Sequence, residues 1–149
     1  MHQSLAHITL LVNDYDEAIN FYTQTLHFTL VEDKIMSPTK RWVIISTTGS
    51  TGTSILLAKA SNEEQQSRVG NQTGGRVFLF LYTDDIERDY KNLLDKNVKI
   101  IEELSDKPHG KVAVFADLYG NLWDLIEPNS DFISTGIPLN IFFKENPPV

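Results

Sequence analysis

Two stretches of this chain are written to one plan. HITLLVND at residues 7–14 and FLFLYTDD at residues 78–85 are alternating, half-apolar runs that end in polar residues and open onto a helix-like stretch. Alternation of this kind marks a strand with one buried face, and an Asn or Asp at its end suits the N-cap of a following helix. After HITLLV, Asn13 or Asp14 is placed to cap a helix carrying Ala18, Ile19, Tyr22 and Leu26, and FTLVED, RWVIIST and SILLAKA follow as strands. After VFLFLYT the order returns: DDIERDYKNLLDKN is a helix with Ile86, Tyr90, Leu93 and Leu94 on one side, and KIIEEL, KVAVFAD and LWDLIEP are strands. A supersecondary unit of this size cannot bury its own apolar face and must pair with its copy. The pattern therefore predicts an α+β chain of two tandem βαβββ modules, within a single domain spanning residues 1–149. Module 1 covers about 4–60, a polar linker about 61–75, module 2 about 76–128, and a tail 129–149.

The bulk properties narrow the function classes. The 149 residues suffice for one well-cored domain, and no apolar run approaches the roughly 20 residues of a membrane span. With 20 acidic against 13 basic side chains the net charge is −7, and the basic residues are scattered, so a phosphate backbone is repelled and nucleic acid is not an expected partner. The absence of cysteine excludes thiolate ligation and thiol catalysis, and the start MHQSLAHITL has no signal-like core, so the expected location is the cytoplasm. The tail holds Phe132, Ile133, Ile137, Leu139, Ile141, Phe142 and Phe143, too apolar to lie free in water. Together with the sheet edges of such modules, it predicts a homodimer.

The repeated unit, the strand that opens with His7, and the late FADLYGNLWDLIEP together resemble the vicinal oxygen chelate superfamily, the glyoxalase, bleomycin-resistance and extradiol-dioxygenase group. The similarity covers roughly residues 4 to 128. Its most specific piece is Asp117-Leu118-Tyr119-Gly120-Asn121, similar to the family's D-P-x-G-N turn with Leu118 in place of proline. The resemblance implies that each module curls its strands into half of a cup-shaped, curved mixed sheet that receives a small molecule. It also implies a divalent metal in members that are enzymes, held from four places that correspond here to His7, Leu56, Phe78 and Asp124. Leu56 and Phe78 carry no donor atom, and a catalytic divalent cation needs about three protein ligands. No cofactor is therefore expected, and any metal would have to rely on His7 and Asp124.

Strand alternation places Phe78, Phe80 and Tyr82 on one face, and the resemblance turns that face toward the cup. The ligand-binding residues expected are His7, Leu56, Phe78, Phe80, Tyr82, Asp124, Arg41 and Arg76. An ionised Asp in a strand interior is costly to bury alone, so Asp124 calls for a partner among His7, Arg41, Arg76 and Lys111. Trp123 alternates away from Asp124 toward a helix, whereas the register of Arg41 and Trp42 is not fixed by pattern. His109 sits in a loop that could cover the cup, Glu63 to Gln66 read as a helix surface, and Gln72 and Arg76 flank a Gly74-Gly75 turn near the cup mouth.

The resulting expectation is a glyoxalase/bleomycin-resistance-like protein that binds a small aromatic or apolar molecule without a catalytic metal. The alternative is a lyase, isomerase or dioxygenase-like enzyme with an incomplete metal site, or a metal-free acid-base catalyst, using His7 and Asp124. A third reading is an interaction module with a vestigial cup. No phosphate-binding Gly-rich loop, G-x-S-x-G elbow or H-E-x-x-H motif is present.

Overall fold

Each half of the repeat forms its own mixed sheet. The computed structural model describes residues 1–129. Its first half runs β1 (His7–Val12), α1 (Tyr15–Asn20), a π-helical turn (Phe21–Thr25), β2 (Thr29–Ser37), β3 (Lys40–Ser46) and β4 (Ser54–Lys59). After α2 (Glu63–Arg68) the second half runs β5 (Val77–Tyr82), α3 (Ile86–Asp95), β6 (Ile100–Lys107), β7 (Gly110–Ala116) and β8 (Leu122–Pro128). The strand orders, β1-β4-β3-β2 and β5-β8-β7-β6, are the same order twice. β1 lies parallel to β4 and β5 parallel to β8, while the remaining neighbours are antiparallel. This is the α+β pair of βαβββ modules that the repeat predicts. The apolar tail lies outside the described residues, and no helix among those described is long and apolar enough to cross a membrane.

Helix capping follows the sequence. Asp14, Asn62 and Asp85 each accept a backbone N–H from the first turn of the helix that follows, satisfying a donor that would otherwise be orphaned. α1 is shorter than the apolar spacing suggests, because the chain widens into the π-helical turn after Asn20. Tyr15, Ala18 and Tyr22 are nonetheless buried, and α1 packs over β3 and β4. Beneath it lie Leu10, Val12, Val43, Ile45, Ile55 and Leu57, the alternate residues of β1, β3 and β4. In the second sheet the matching layer is Ala113, Phe115, Trp123 and Leu125, against Ile86 and Leu93 of α3. Trp123 stacks on Phe115 with ring centroids 6.1 Å apart, on the helix side as its alternation predicts. Glu63 to Gln66 belong to α2 and lie at its surface.

The described residues divide into two compact units, Met1–Gly75 with Leu118–Asn121, and Arg76–Asp117 with residues 122–129. The turn before β8 thus clusters with the first unit. Its Tyr119 hydroxyl donates to Glu17 Oε2 at 2.9 Å, and burial with that carboxylate alongside pushes the phenol up to about 12. Gly70 lies so close beneath it that a Cβ would stand 1.8 Å from the Tyr119 carbonyl oxygen. Asn121 Oδ1 accepts the Gln72 N–H at 3.4 Å.

Candidate functional site

Residues paired across a ladder share a face, so the register identifies what lies opposite the helices. In the second sheet Phe80, Asp124, Val114 and Glu102 form one such row. The equivalent row of the first sheet is Thr9, Leu56, Ile44 and Glu32. Leu56 and Asp124 therefore occupy corresponding places.

On the second sheet Phe80 is 64% exposed and Tyr82 41% exposed, two residues apart along β5, beside the buried Val112, Val114 and Ile126. Half-buried Asp124 is held above the usual aspartate range, first by burial and then by the neighbouring Glu102, with His109 acting in the opposite sense. Lys111, one of the cations expected to answer it, is engaged elsewhere. Lys111 Nζ reaches Glu87 at 3.1 Å instead, because it alternates with Val112 and projects toward α3. Arg76 is exposed just before β5.

Phe78 departs from the alternation expected of it. The β5–β8 register shifts between Val77 and Leu79, so Phe78 is the extra residue of a bulge. Its ring meets Trp123 edge to face at 6.3 Å, on the helix side of β8, rather than continuing the Phe80 and Tyr82 row.

On the first sheet the same face carries His7, Trp42, Ile44, Leu56, Glu32 and Lys34. The Trp42 indole N–H donates to Glu32 Oε2 at 3.0 Å, Lys34 Nζ pairs with Glu32 Oε1 at 2.6 Å, and the His7 and Trp42 rings meet edge to face at 6.0 Å. The hydrogen bonds from Lys34 and then Trp42 hold the Glu32 carboxyl below its ordinary range. Arg41, expected in the cavity, belongs to the other face. Its guanidinium donates to Asp33 at 3.1 and 2.6 Å and to Asp16 at 2.8 Å, and lies 5.2 Å from the Tyr15 ring centroid. Gln72 is not a cavity-mouth group either. Its side-chain amide accepts the Leu11 N–H at 2.9 Å and donates to the Thr9 carbonyl at 2.7 Å, which closes the outer edge of β1. The adjoining Gly74 and Gly75 adopt φ of +67° and +96°, the turn conformation that pattern predicts.

Sequence pattern names Trp42 without fixing its face and does not single out Glu32, Lys34 or Glu102. The alternating Glu32-Asp33-Lys34 carried a signal, since it puts the oppositely charged pair on one face, but the FTLVED strand was ended before Lys34.

The residues do not fit a divalent metal centre of the kind implied for enzymes of this architecture. Leu56 faces Thr9 and Ile44 with no donor atom, and the Phe78 ring packs on Trp123. Among the described residues no group of three His, Asp or Glu side chains is gathered to hold a metal ion.

Comparison with known proteins agrees with this architecture. An uncharacterized protein of Shewanella frigidimarina (strain NCIMB 400) is 54% identical over 130 residues, covering 87% of this chain and 96% of its own. Among solved structures, TnmS3, an antibiotic binding protein from Streptomyces sp. CB03234, is 26% identical with a TM-score of 0.70, over 86% of this chain and 98% of its own. UcmS2 is likewise 26% identical, with a TM-score of 0.74, over 85% of this chain and 99% of its own. The sequence profile of one superfamily matches residues 4–125, nearly the whole of both modules. The chain belongs to the Glyoxalase/Bleomycin resistance protein/Dioxygenase superfamily.

Proposed function

We propose that this protein binds a small molecule with an aromatic or apolar body and a polar handle, and that binding requires no resident metal. The observation that carries the reading is the pair of exposed rings, Phe80 and Tyr82, on the sheet face that also presents Asp124. Large aromatic side chains left in water beside a carboxylate of raised pKa form a surface that gains by being covered and can fix the orientation of what covers it. The likeness to an antibiotic binding protein supports this class of ligand. Two of the four metal positions implied by the family carry hydrocarbon side chains, which argues against metal-centred chemistry as the basis of recognition.

Titration calorimetry of the full chain tests the proposal, using bleomycin and a panel of polycyclic aromatics in cationic, neutral and anionic forms. At least one compound is expected to bind equally well with and without EDTA. Phe80→Ala should weaken that compound about tenfold, the worth of roughly 1.4 kcal/mol of aromatic contact. Binding that EDTA abolishes, or that ignores Phe80→Ala, overturns the reading.

A further inference from the structure

The second sheet repeats a carboxylate of the first without the groups that satisfy it. In both sheets the register slips just before a glutamate on the terminal strand, between Leu30 and Glu32 and between Ile100 and Glu102. That glutamate then lies across from Ile44 in the first sheet and Val114 in the second. At the next pair on the same face, the first sheet sets Lys34 across from Trp42, whereas the second sets Ser105 across from Val112. Lys34 Nζ and the Trp42 indole N–H both reach the Glu32 carboxylate, at 2.6 and 3.0 Å. Serine is short and uncharged and valine has no donor, so the equivalent place beside Glu102 lacks its cation. Resting on the ligand reading above, we infer that the bound molecule supplies that cation. Its polar handle is a protonated amine seated between Asp124 and Glu102, with the aromatic body against Phe80 and Tyr82.

The surrounding chemistry selects that charge. Phe80, Asp124, Val114 and Glu102 succeed one another across the four strands, so Val114 alone separates the two carboxylates, whose backbones lie about 10 Å apart. An ammonium bridges such a gap when the longer, exposed glutamate leans in. No ion pair among the described residues includes Asp124 or Glu102. Between them β7 presents only hydrocarbon, the buried Val112 and Val114. Of the other titratable groups on this face, Tyr82 stands on β5 beside Ile126 and His109 lies in the β6–β7 turn. Lys107 pairs with Gly110 at the hairpin's end, about 13 Å along the strand from Val114. A cationic handle therefore meets two carboxylates and adds a cation–π attraction to the exposed rings, whereas a neutral one forgoes both and an anionic one is repelled. Burial and Glu102 hold Asp124 above its ordinary range, and a neighbouring ammonium would offset both by favouring the ionised carboxylate.

Calorimetric titration of the full chain at neutral pH with naphthylmethylamine, naphthylmethanol and naphthoate holds the ring constant and varies only the charge. The amine should bind at least about tenfold more tightly than the alcohol, and the naphthoate weakest. Ser105→Lys installs a cation where the first sheet has Lys34, and should remove most of the amine's advantage while leaving the alcohol unchanged. Glu102→Gln should weaken the amine in the same selective way. Both residues are exposed on a terminal strand, so neither change disturbs the packed core. Glu63→Gln removes one negative charge from the surface of α2 and should leave all three affinities as they are, which separates a local contact from the net charge of −7. If amine and alcohol bind alike and both weaken with Phe80→Ala, the aromatic site stands and the cationic handle is overturned. An amine preference that survives Ser105→Lys, or that falls as much with Glu63→Gln as with Glu102→Gln, overturns it too. Failure of all three compounds to bind in a Phe80-dependent way overturns both the handle and the reading beneath it.

Discussion

The two modules share a backbone plan and differ in what they place on it. Row for row, Thr9–Leu56–Ile44–Glu32 in the first sheet answers Phe80–Asp124–Val114–Glu102 in the second. Both rows end in glutamate. In the first, the glutamate's neighbours along and across the strands are Lys34 and Trp42, which bond to it and hold it ionised. In the second, the row also contains Asp124, so two carboxylates face the same surface and the buried one resists ionisation. The helix-side layers remain apolar in both, because each sheet must still bury its helix. Duplication therefore constrains the packed face tightly and leaves the open face free to change its chemistry. One open face has become internally satisfied, whereas the other keeps exposed aromatics and an acid available to something else.

The sharpest way to test that division is to remove one large ring from each side of the second sheet. Trp123 is buried between Phe115 and Phe78, and Trp123→Ala should cost about 3–5 kcal/mol in urea unfolding. Phe80→Ala, a neighbouring aromatic on the open face at 64% exposure, should change stability by no more than about 0.5 kcal/mol while weakening ligand. If the two cost the same, Phe80 is core and the assignment of faces fails.

The modules also differ in how they are tied off, since the 118–121 turn clusters with the first unit. Gly70→Ala should destabilise by about 2–4 kcal/mol, combining left-handed backbone at φ +75° with a Cβ placed 1.8 Å from the Tyr119 carbonyl oxygen. Gly74→Ala, at φ +67° but with open space around it, should cost only about 1 kcal/mol. Thermal unfolding of the two variants separates backbone strain from the docked turn, and equal losses would mean that the turn contributes nothing.

The repeat and the succession of elements along each module were legible because they rest on alternation over many residues, which errors of one position do not erase, and the correspondence of Leu56 with Asp124 was implied by the family resemblance. What pattern could not show were single-residue irregularities. The bulge at Phe78 turns its ring to Trp123, and no composition signal distinguishes a bulged phenylalanine from one in a regular strand. The register of Arg41 and Trp42 depends on where the hairpin turns, and one step decides which of the two faces the helix. The structure gives Arg41 to α1 and β2, where Asp16 and Asp33 receive it, and Trp42 to the open face beside His7.

The smallest effect carries the comparison most directly, because it asks two carboxylates to shift in opposite directions. Glu32 is lowered in the folded chain, so its contribution to stability is present above the ordinary glutamate value of about 4.3 and is lost as pH falls through its depressed value. Asp124 is raised, so its contribution is complete below about 3.9 and is lost as pH rises through its elevated value. Ionisation of Asp124 therefore weakens the fold, and Asp124→Asn should gain stability relative to wild type as pH rises through that window. Carboxyl-carbon NMR should show Glu32 titrating below its ordinary range and Asp124 above its own. Lys34→Met removes the larger of the two hydrogen bonds to Glu32 and should move that carboxyl upward. Glu102→Gln leaves the burial of Asp124 in place but removes the neighbouring charge, so it should bring Asp124 only part of the way down. If both carboxylates titrate in the same direction, the open faces have not diverged electrostatically. Asp124 would then have no claim to be the polar anchor of a bound molecule.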